Sequence, residues 1–353
     1  MKNAIPKLSI LAAIALFWSS CKVLDSAFDG STSSKTSKTL YPYVKDQQVG
    51  FVDQNLVEHI SPAFQLQTNE SWPYTFSNGL ATVYMLGAGG YINKEGNIAI
   101  KPQFEKVYSF QEGLALVKSN GQYGYISKKG SFVISPQFAD ARSFQNGRAA
   151  VQKNGHWGFI NRNGNWVIEP QFTAAENFSN GRALIQTANH HEWGYIDRKG
   201  AFVITPQYRN AHSFSDGLAA VELEFHQWGY INPAGDIIIA SKFLEAGPFS
   251  DGIAPVAMPE SSSNLSQKKY GYINKEGEFI VEPAYEQAFA FQEGRARVVQ
   301  NDKFGFVNRR GQLIVDPIYA RAWDYHNGLA MVRIGRKYGY INKTGIFVLE
   351  PLS

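Results

Sequence analysis

The chain has one cysteine in 353 residues, Cys21, so no disulfide can form within it. Charge of one sign is also scarce: 34 Lys and Arg stand against 30 Asp and Glu, a formal net charge of +4. Such a balance excludes a chain organised around an electrostatic partner, nucleic acid above all. Charged residues amount to 18% and hydrophobic ones to 44%, too apolar for a disordered polymer. The signatures of common chemistries are missing as well. There is no Gly-x-Gly-x-x-Gly before a helix, no phosphate loop, no His-Glu-x-x-His and no cysteine pair. No cofactor is implied, and an enzyme is not expected.

The longest apolar run, Leu8 to Trp18, spans 11 residues, about half of the roughly 20 that a membrane-spanning helix needs. It follows Lys2 and Lys7 and precedes the small pair Ser19-Ser20. That layout predicts a signal peptide over residues 1–20. The segment Trp18-Ser19-Ser20-Cys21 resembles a bacterial lipobox, with Trp18 in place of the usual leucine, and implies an acylated Cys21 as the first mature residue. Cleavage there leaves 32 basic against 30 acidic residues, so lipid alone would hold the protein at a membrane. Residues 21–38, rich in Ser and Thr, are expected to form a lipid-anchored flexible tether. The predicted location is outside the cytoplasm, on an outer membrane or cell surface.

What the chain has in abundance is aromatic residues, at 14%, and glycine, at 32 residues. Both recur with a period. A Gly followed by an aromatic and then Ile or Val occurs at Gly50, Gly90, Gly124, Gly158, Gly194, Gly229, Gly271, Gly305 and Gly339, mostly 34 to 36 residues apart. The period predicts nine copies of one unit over 39–353, starting near residues 39, 79, 113, 147, 181, 217, 252, 294 and 328. After each anchor glycine comes an Asn, Asp or Ser with Gly three residues later, a turn signal; Leu56 stands where the first unit's turn glycine belongs. A closing strand follows, as in Trp166-Val167-Ile168, and Pro170 and its equivalents are expected to end it. Upstream lies an apolar strand such as Gly113-Leu114-Ala115-Leu116-Val117, which should be covered on both faces. Each unit therefore reads as a three-stranded antiparallel meander. The links between units, such as Phe138, Ala141 and Phe144, read as one or two tight helical turns.

These blocks resemble the WG-repeat (KWG) proteins of bacteria. The likeness covers about Thr39 to Ser353, with the tryptophan itself at Trp157, Trp193 and Trp228. It implies a β-rich repeat scaffold, usually exported or surface-associated, with no shared enzymatic activity. The fold expected is all-β, and an open superhelical stack is favoured over a closed propeller. A propeller blade usually has four strands, and closure often splits one blade between the termini, whereas both end units here run in phase.

The expected function is binding of a protein or glycan partner at the cell envelope. An envelope hydrolase and a structural spacer are the alternatives. Non-repeating aromatics are the candidate contacts: Trp72, Tyr74, Trp166 and Trp323. His156, His190, His191 and His226 precede the anchor glycine in three consecutive units, where adjacent loops could hold a divalent metal.

Overall fold

The computed structural model describes residues 39–66, 74–188, 191–261 and 264–352. The signal, Cys21 and the tether lie outside the described residues. The described chain is all-β, folded as nine small antiparallel sheets in chain order.

Six of the nine sheets have four strands rather than three. In the fourth unit a two-residue lead strand, Asp140–Ala141, pairs with the apolar strand Arg148–Lys153, then come the anchor strand His156–Asn161 and the closing strand Trp166–Phe172. The link expected to be helical holds the lead strand and a two-residue hairpin turn instead. Asn146 and Gly147 take φ of 55° and 74° between the bridged residues Gln145 and Arg148, a type I′ geometry. The three-residue spacing of apolar side chains came from this kinked path, not from helix.

The prolines also differ from expectation. Pro170 lies inside the closing strand, which runs on to Phe172. Trp157 pairs with Phe172 and Phe159 with Ile168, so the closing strand bulges outward opposite Gly158. Proline is tolerated in the bulge because no ladder acceptor faces it. The bulge explains the anchor glycine: a Cβ on Gly158 would fall 2.6 Å from the Ile168 carbonyl oxygen and 2.8 Å from the Pro170 nitrogen. No side chain fits there. The flanking rings point the other way, and Trp157 and Phe159 are buried.

Neighbouring sheets share cores. One cluster joins Leu114, Tyr125 and Phe138 to Phe144, Val151 and Ile160 of the next unit. Apolar strands are buried on both faces, as Leu114 to Val117 are. A relay of turns adds polar links. Glu112 accepts from the Gly147 N–H at 2.9 Å, Asp216 from Gly252 at 2.7 Å and Asp251 from Gly294 at 2.8 Å. Basic residues of the anchor turns reach back to carboxylates of this relay, with Lys275 3.3 Å from Asp216, Arg309 2.7 Å from Asp251, and Lys343 3.1 Å from Glu293, which accepts from the Gly328 N–H at 2.9 Å.

The nine sheets form a ring like a nine-bladed propeller, which corrects the open-stack expectation. Tyr41, Tyr43 and Val52 of the first unit share a core with Met331, Tyr340 and Leu349 of the ninth. Rings of Tyr41 and Tyr340 meet edge-on at 6.0 Å, and the Tyr41 hydroxyl donates to the Asn327 carbonyl at 2.8 Å. Among the described residues no strand is exchanged between the two terminal sheets.

Candidate functional site

From the second unit on, the closing strand begins with an apolar residue paired to a buried one on the anchor strand. Ile98 pairs with Ile92, Phe132 with Ile126, Trp166 with Ile160, Phe202 with Ile196, Ile237 with Ile231 and Leu313 with Val307. The register is the same in every case. Only the first unit breaks the row, with Glu58 opposite Val52.

This position is held from one side by the preceding unit in several copies and is open to solvent in five of the eight. The Phe132 ring sits edge-on to Phe104 of the preceding unit at 6.0 Å, Trp166 to Phe138 at 6.0 Å, Phe279 to Phe243 at 6.3 Å and Phe347 to Tyr319 at 6.2 Å. Edge-to-face contact fixes each ring; Phe132 stays exposed, whereas Trp166, Phe279 and Phe347 are partly buried against the cores. Relative exposure is 42% for Ile98 and Phe132, 49% for Phe202, 58% for Ile237 and 40% for Leu313. Exposed apolar residues scattered singly mean little, but a row at one register, unit after unit, is a recognition surface in form. Of the aromatics singled out in the sequence, Trp166 belongs to this row.

The other aromatic candidates lie elsewhere. Tyr74 is fully buried in the first core and donates its hydroxyl to the Gln65 carbonyl at 2.5 Å, so it is a packing residue and not a surface contact. Trp72 lies outside the described residues. Trp323 is partly buried at the junction of the ninth and first units, its ring 6.0 Å from Tyr338 and beneath the Arg321 guanidinium at 5.3 Å.

The histidines do not converge. His156 is exposed beside the Asn154 carbonyl, in a recess with Trp166 and Glu169. His191 lines a separate pocket with Arg209, Glu222 and Glu224, and its carbonyl accepts from Gln186 at 2.8 Å. Glu222 in turn accepts from the His226 N–H at 2.6 Å and from Asn210 at 2.6 Å, so that carboxylate is occupied within its own hairpin. His190 lies outside the described residues. Among the described residues no group of three or more His, Cys, Asp or Glu has the geometry to hold a metal ion.

The sequence matches the family model described as WG containing repeat at residues 90–123, 123–156, 157–189, 193–224, 228–258, 270–304 and 304–338, most of the chain. The chain belongs to the WG-repeat family. Among curated proteins, none matches it. Solved structures similar to this WG-repeat chain include BamB from Moraxella catarrhalis, at 13% identity over 87% of this chain and 92% of that one, with a TM-score of 0.40. Others are Hsv2p from Kluyveromyces lactis, at 8% identity over 65% and 88% with a TM-score of 0.41, and the dihydro-heme d1 dehydrogenase NirN, at 12% over 90% and 72% with 0.47. These likenesses are remote.

The anchor motif that gives the WG repeat its name is structural throughout: Gly124, Gly158, Gly194, Gly229, Gly271, Gly305 and Gly339 each lie under a bulge, with a carbonyl oxygen 2.3 to 2.7 Å from where a Cβ would be. Trp157, Trp193 and Trp228 pair across strands with Phe172, Tyr208 and Phe243. Sequence reasoning passed over the row of closing-strand residues because it varies among Ile, Phe, Trp and Leu. Its signal was constancy of apolar character at one register.

Proposed function

We propose that this WG-repeat protein is a non-catalytic scaffold, exported and anchored through an acylated Cys21, that grips a protein partner along the row of closing-strand residues. The observation that carries the reading is the row itself: apolar side chains at one register in eight successive units, five of them exposed (Ile98, Phe132, Phe202, Ile237 and Leu313) and the other three aromatic and partly buried against the cores. Rigid aromatic and aliphatic anchors lose little entropy on binding, which makes them effective interface centres. Protein suits the row better than glycan, because sugar hydroxyls need polar partners that Ile, Leu and Phe do not supply.

The test compares the mature chain with a variant carrying Ile98→Ser, Phe132→Ser, Phe202→Ser, Ile237→Ser and Leu313→Ser, each used to capture proteins and glycans from solubilised envelope. The expected result is a protein retained by the parent and lost from the variant, while circular dichroism of the two is the same. Retention of the same partner by both would move the interface elsewhere. For the anchor, palmitate labelling is expected in the full-length protein and absent from Cys21→Ser.

A further inference from the structure

In most units the residue after the lead strand covers the first aromatic of the anchor strand. The Arg142 guanidinium lies over Trp157 at 5.2 Å, and His212 stacks on Trp228 at 5.1 Å. Phe289 stacks on Phe304 at 6.1 Å, while Trp323 tilts against Tyr338 at 6.0 Å and Tyr108 against Tyr123 at 6.5 Å. Where Gly247 stands at this place, Lys268 lies over Tyr270 at 5.7 Å instead. The fifth unit departs from the pattern. Its residue after the lead strand Ala174–Ala175 is Glu176, whose carboxylate accepts from the Arg142 guanidinium of the preceding unit at 2.8 Å. Among the described residues no ring or cation lies over Trp193, which is only partly buried.

Beside Trp193 lies a recess of about 660 Å³, with Glu176, Leu184 and Phe214 among its walls. Leu184 and Phe214, 3% and 2% exposed, supply apolar surface. Polar walls come from the loops of three successive units: Gln145, Ser179, and His212 with Ser213. Among the described residues the side chains of these four make no hydrogen bond to another protein group. Ser179 shows the difference most plainly. Ser77, Ser215 and Ser250 donate to the carbonyl of the next loop's ring residue at 2.6 to 2.7 Å, whereas Ser179, at the same place in its turn, keeps its hydroxyl free.

We infer that this recess is a binding site for a neutral pyranose, a free sugar or one residue of a glycan, laid against the Trp193 indole. The C–H bonds on one face of such a ring are apolar and weakly positive, which suits the negative face of an aromatic system. The hydroxyls around its edge both donate and accept. Amide, hydroxyl and imidazole groups answer them in kind, and a buried hydroxyl without such partners would be costly. Glu176, the carboxylate in the lining, is already paired with Arg142, so the site favours a ligand without charge. The volume falls within the roughly 300 to 1,000 Å³ of small-molecule sites. No wall of the recess belongs to the closing-strand row, so the site goes beyond the protein-binding reading and either can fail alone.

The probes are methyl β-glucoside, methyl β-galactoside, cellobiose and diacetylchitobiose, titrated into the mature chain and read by saturation-transfer NMR. Saturable binding of at least one is expected, with a dissociation constant of about 1 mM or tighter. Transfer should be strongest to ring C–H protons of one face. Glu176→Phe sets a ring over Trp193 as Phe289 stands over Phe304, and should weaken binding at least about tenfold with an unchanged melting curve. Glu176→Gln removes the charge and leaves the recess open, so binding should stay within about twofold of the parent. Ser213→Ala removes one hydroxyl partner and should cost about fivefold.

Absence of saturation by every probe below about 10 mM would overturn the inference. Unchanged binding in Glu176→Phe would overturn it too, by placing the sugar elsewhere. Equal loss in Glu176→Gln and Glu176→Phe would assign the recess to a cation and not to a neutral ring. Disaccharides binding more tightly than the methyl glycosides would point to a glycan chain, and equal affinities to a single ring; both support the site. The fivefold serine variant of the closing-strand row should bind the sugar normally. If sugar binding fails while that variant still loses its captured protein, the scaffold reading stands and the pyranose site falls.

Discussion

Leu56 holds φ at 63°, in the left-handed region, where the other anchor turns place glycine with φ between 75° and 97°. Its N–H closes the turn on the Asp53 carbonyl at 3.0 Å, so the conformation is imposed by the hairpin and not chosen by the side chain. A residue with a Cβ gives up about 1–2 kcal/mol there, and glycine's extra chain entropy returns about half of it. Leu56→Gly should therefore stabilise the protein by about 1 kcal/mol, visible as a melting point about 1–2 °C higher in a scanning calorimeter. In the same turn Asp53 has its carboxyl lowered to about 2 from 3.8, first by its hydrogen bond to His59 and also by the backbone N–H groups of Asn55 and Val57. The folded state then binds fewer protons than the unfolded one as acid is added. The stabilisation is complete above pH 3.8 and is lost as pH falls through 2. Denaturant midpoints measured from pH 5 to pH 2 should fall less steeply for Asp53→Asn than for the parent; equal slopes would show that the carboxylate contributes nothing.

The turn between lead and apolar strands is the element that couples one unit to the next. Asp251 takes the Gly294 N–H of the following unit and the Arg309 guanidinium at once. Glu293 does the same with Asn327, Gly328 and Lys343; burial opposes its ionisation, yet the N–H donors and Lys343 outweigh it and hold its carboxyl below the usual range. Asp251→Ala should cost about 1–2 kcal/mol, because the Gly294 N–H loses its acceptor. Asp251→Asn keeps a carbonyl oxygen for that N–H and should cost about 0.5 kcal/mol, since Arg309 is largely exposed and its ion pair is screened. Urea unfolding of both variants separates the two contributions. This relay was not legible in the sequence, where Glu112, Asp216, Asp251 and Glu293 read as ordinary turn residues. Strand content was legible because each strand writes its own pattern of alternation and glycine. The proline bulge was half legible: Pro170 did mark a break in pairing, but opposite a glycine and inside the strand, a relation between two strands that no single strand's pattern contains.

Closure of the ring was the least legible property, for it depends on a small rotation per unit that sums only around the whole molecule. Two phased end units suggested an open stack, but phase says only that no strand is exchanged between the termini. What decides closure is complementarity of the end faces, Tyr41 and Val52 against Met331, Tyr340 and Leu349. The row of closing-strand residues follows the same closure and becomes circumferential. A ring brings Leu40 and Leu349 into neighbouring sheets, so its described ends can be joined by a short link. An open stack would hold them the length of nine units apart. A permuted chain with Leu352 tied to Thr39 by a few Gly and Ser residues, and new termini cut into the exposed turn at Asn120 and Gly121, keeps every sheet of a ring intact. It should melt cooperatively within a few degrees of the parent ring and elute at the same volume on size exclusion. Loss of the cooperative transition, alongside a control cut at the same turn but left unjoined that still folds, would show that the first and ninth units do not meet in solution.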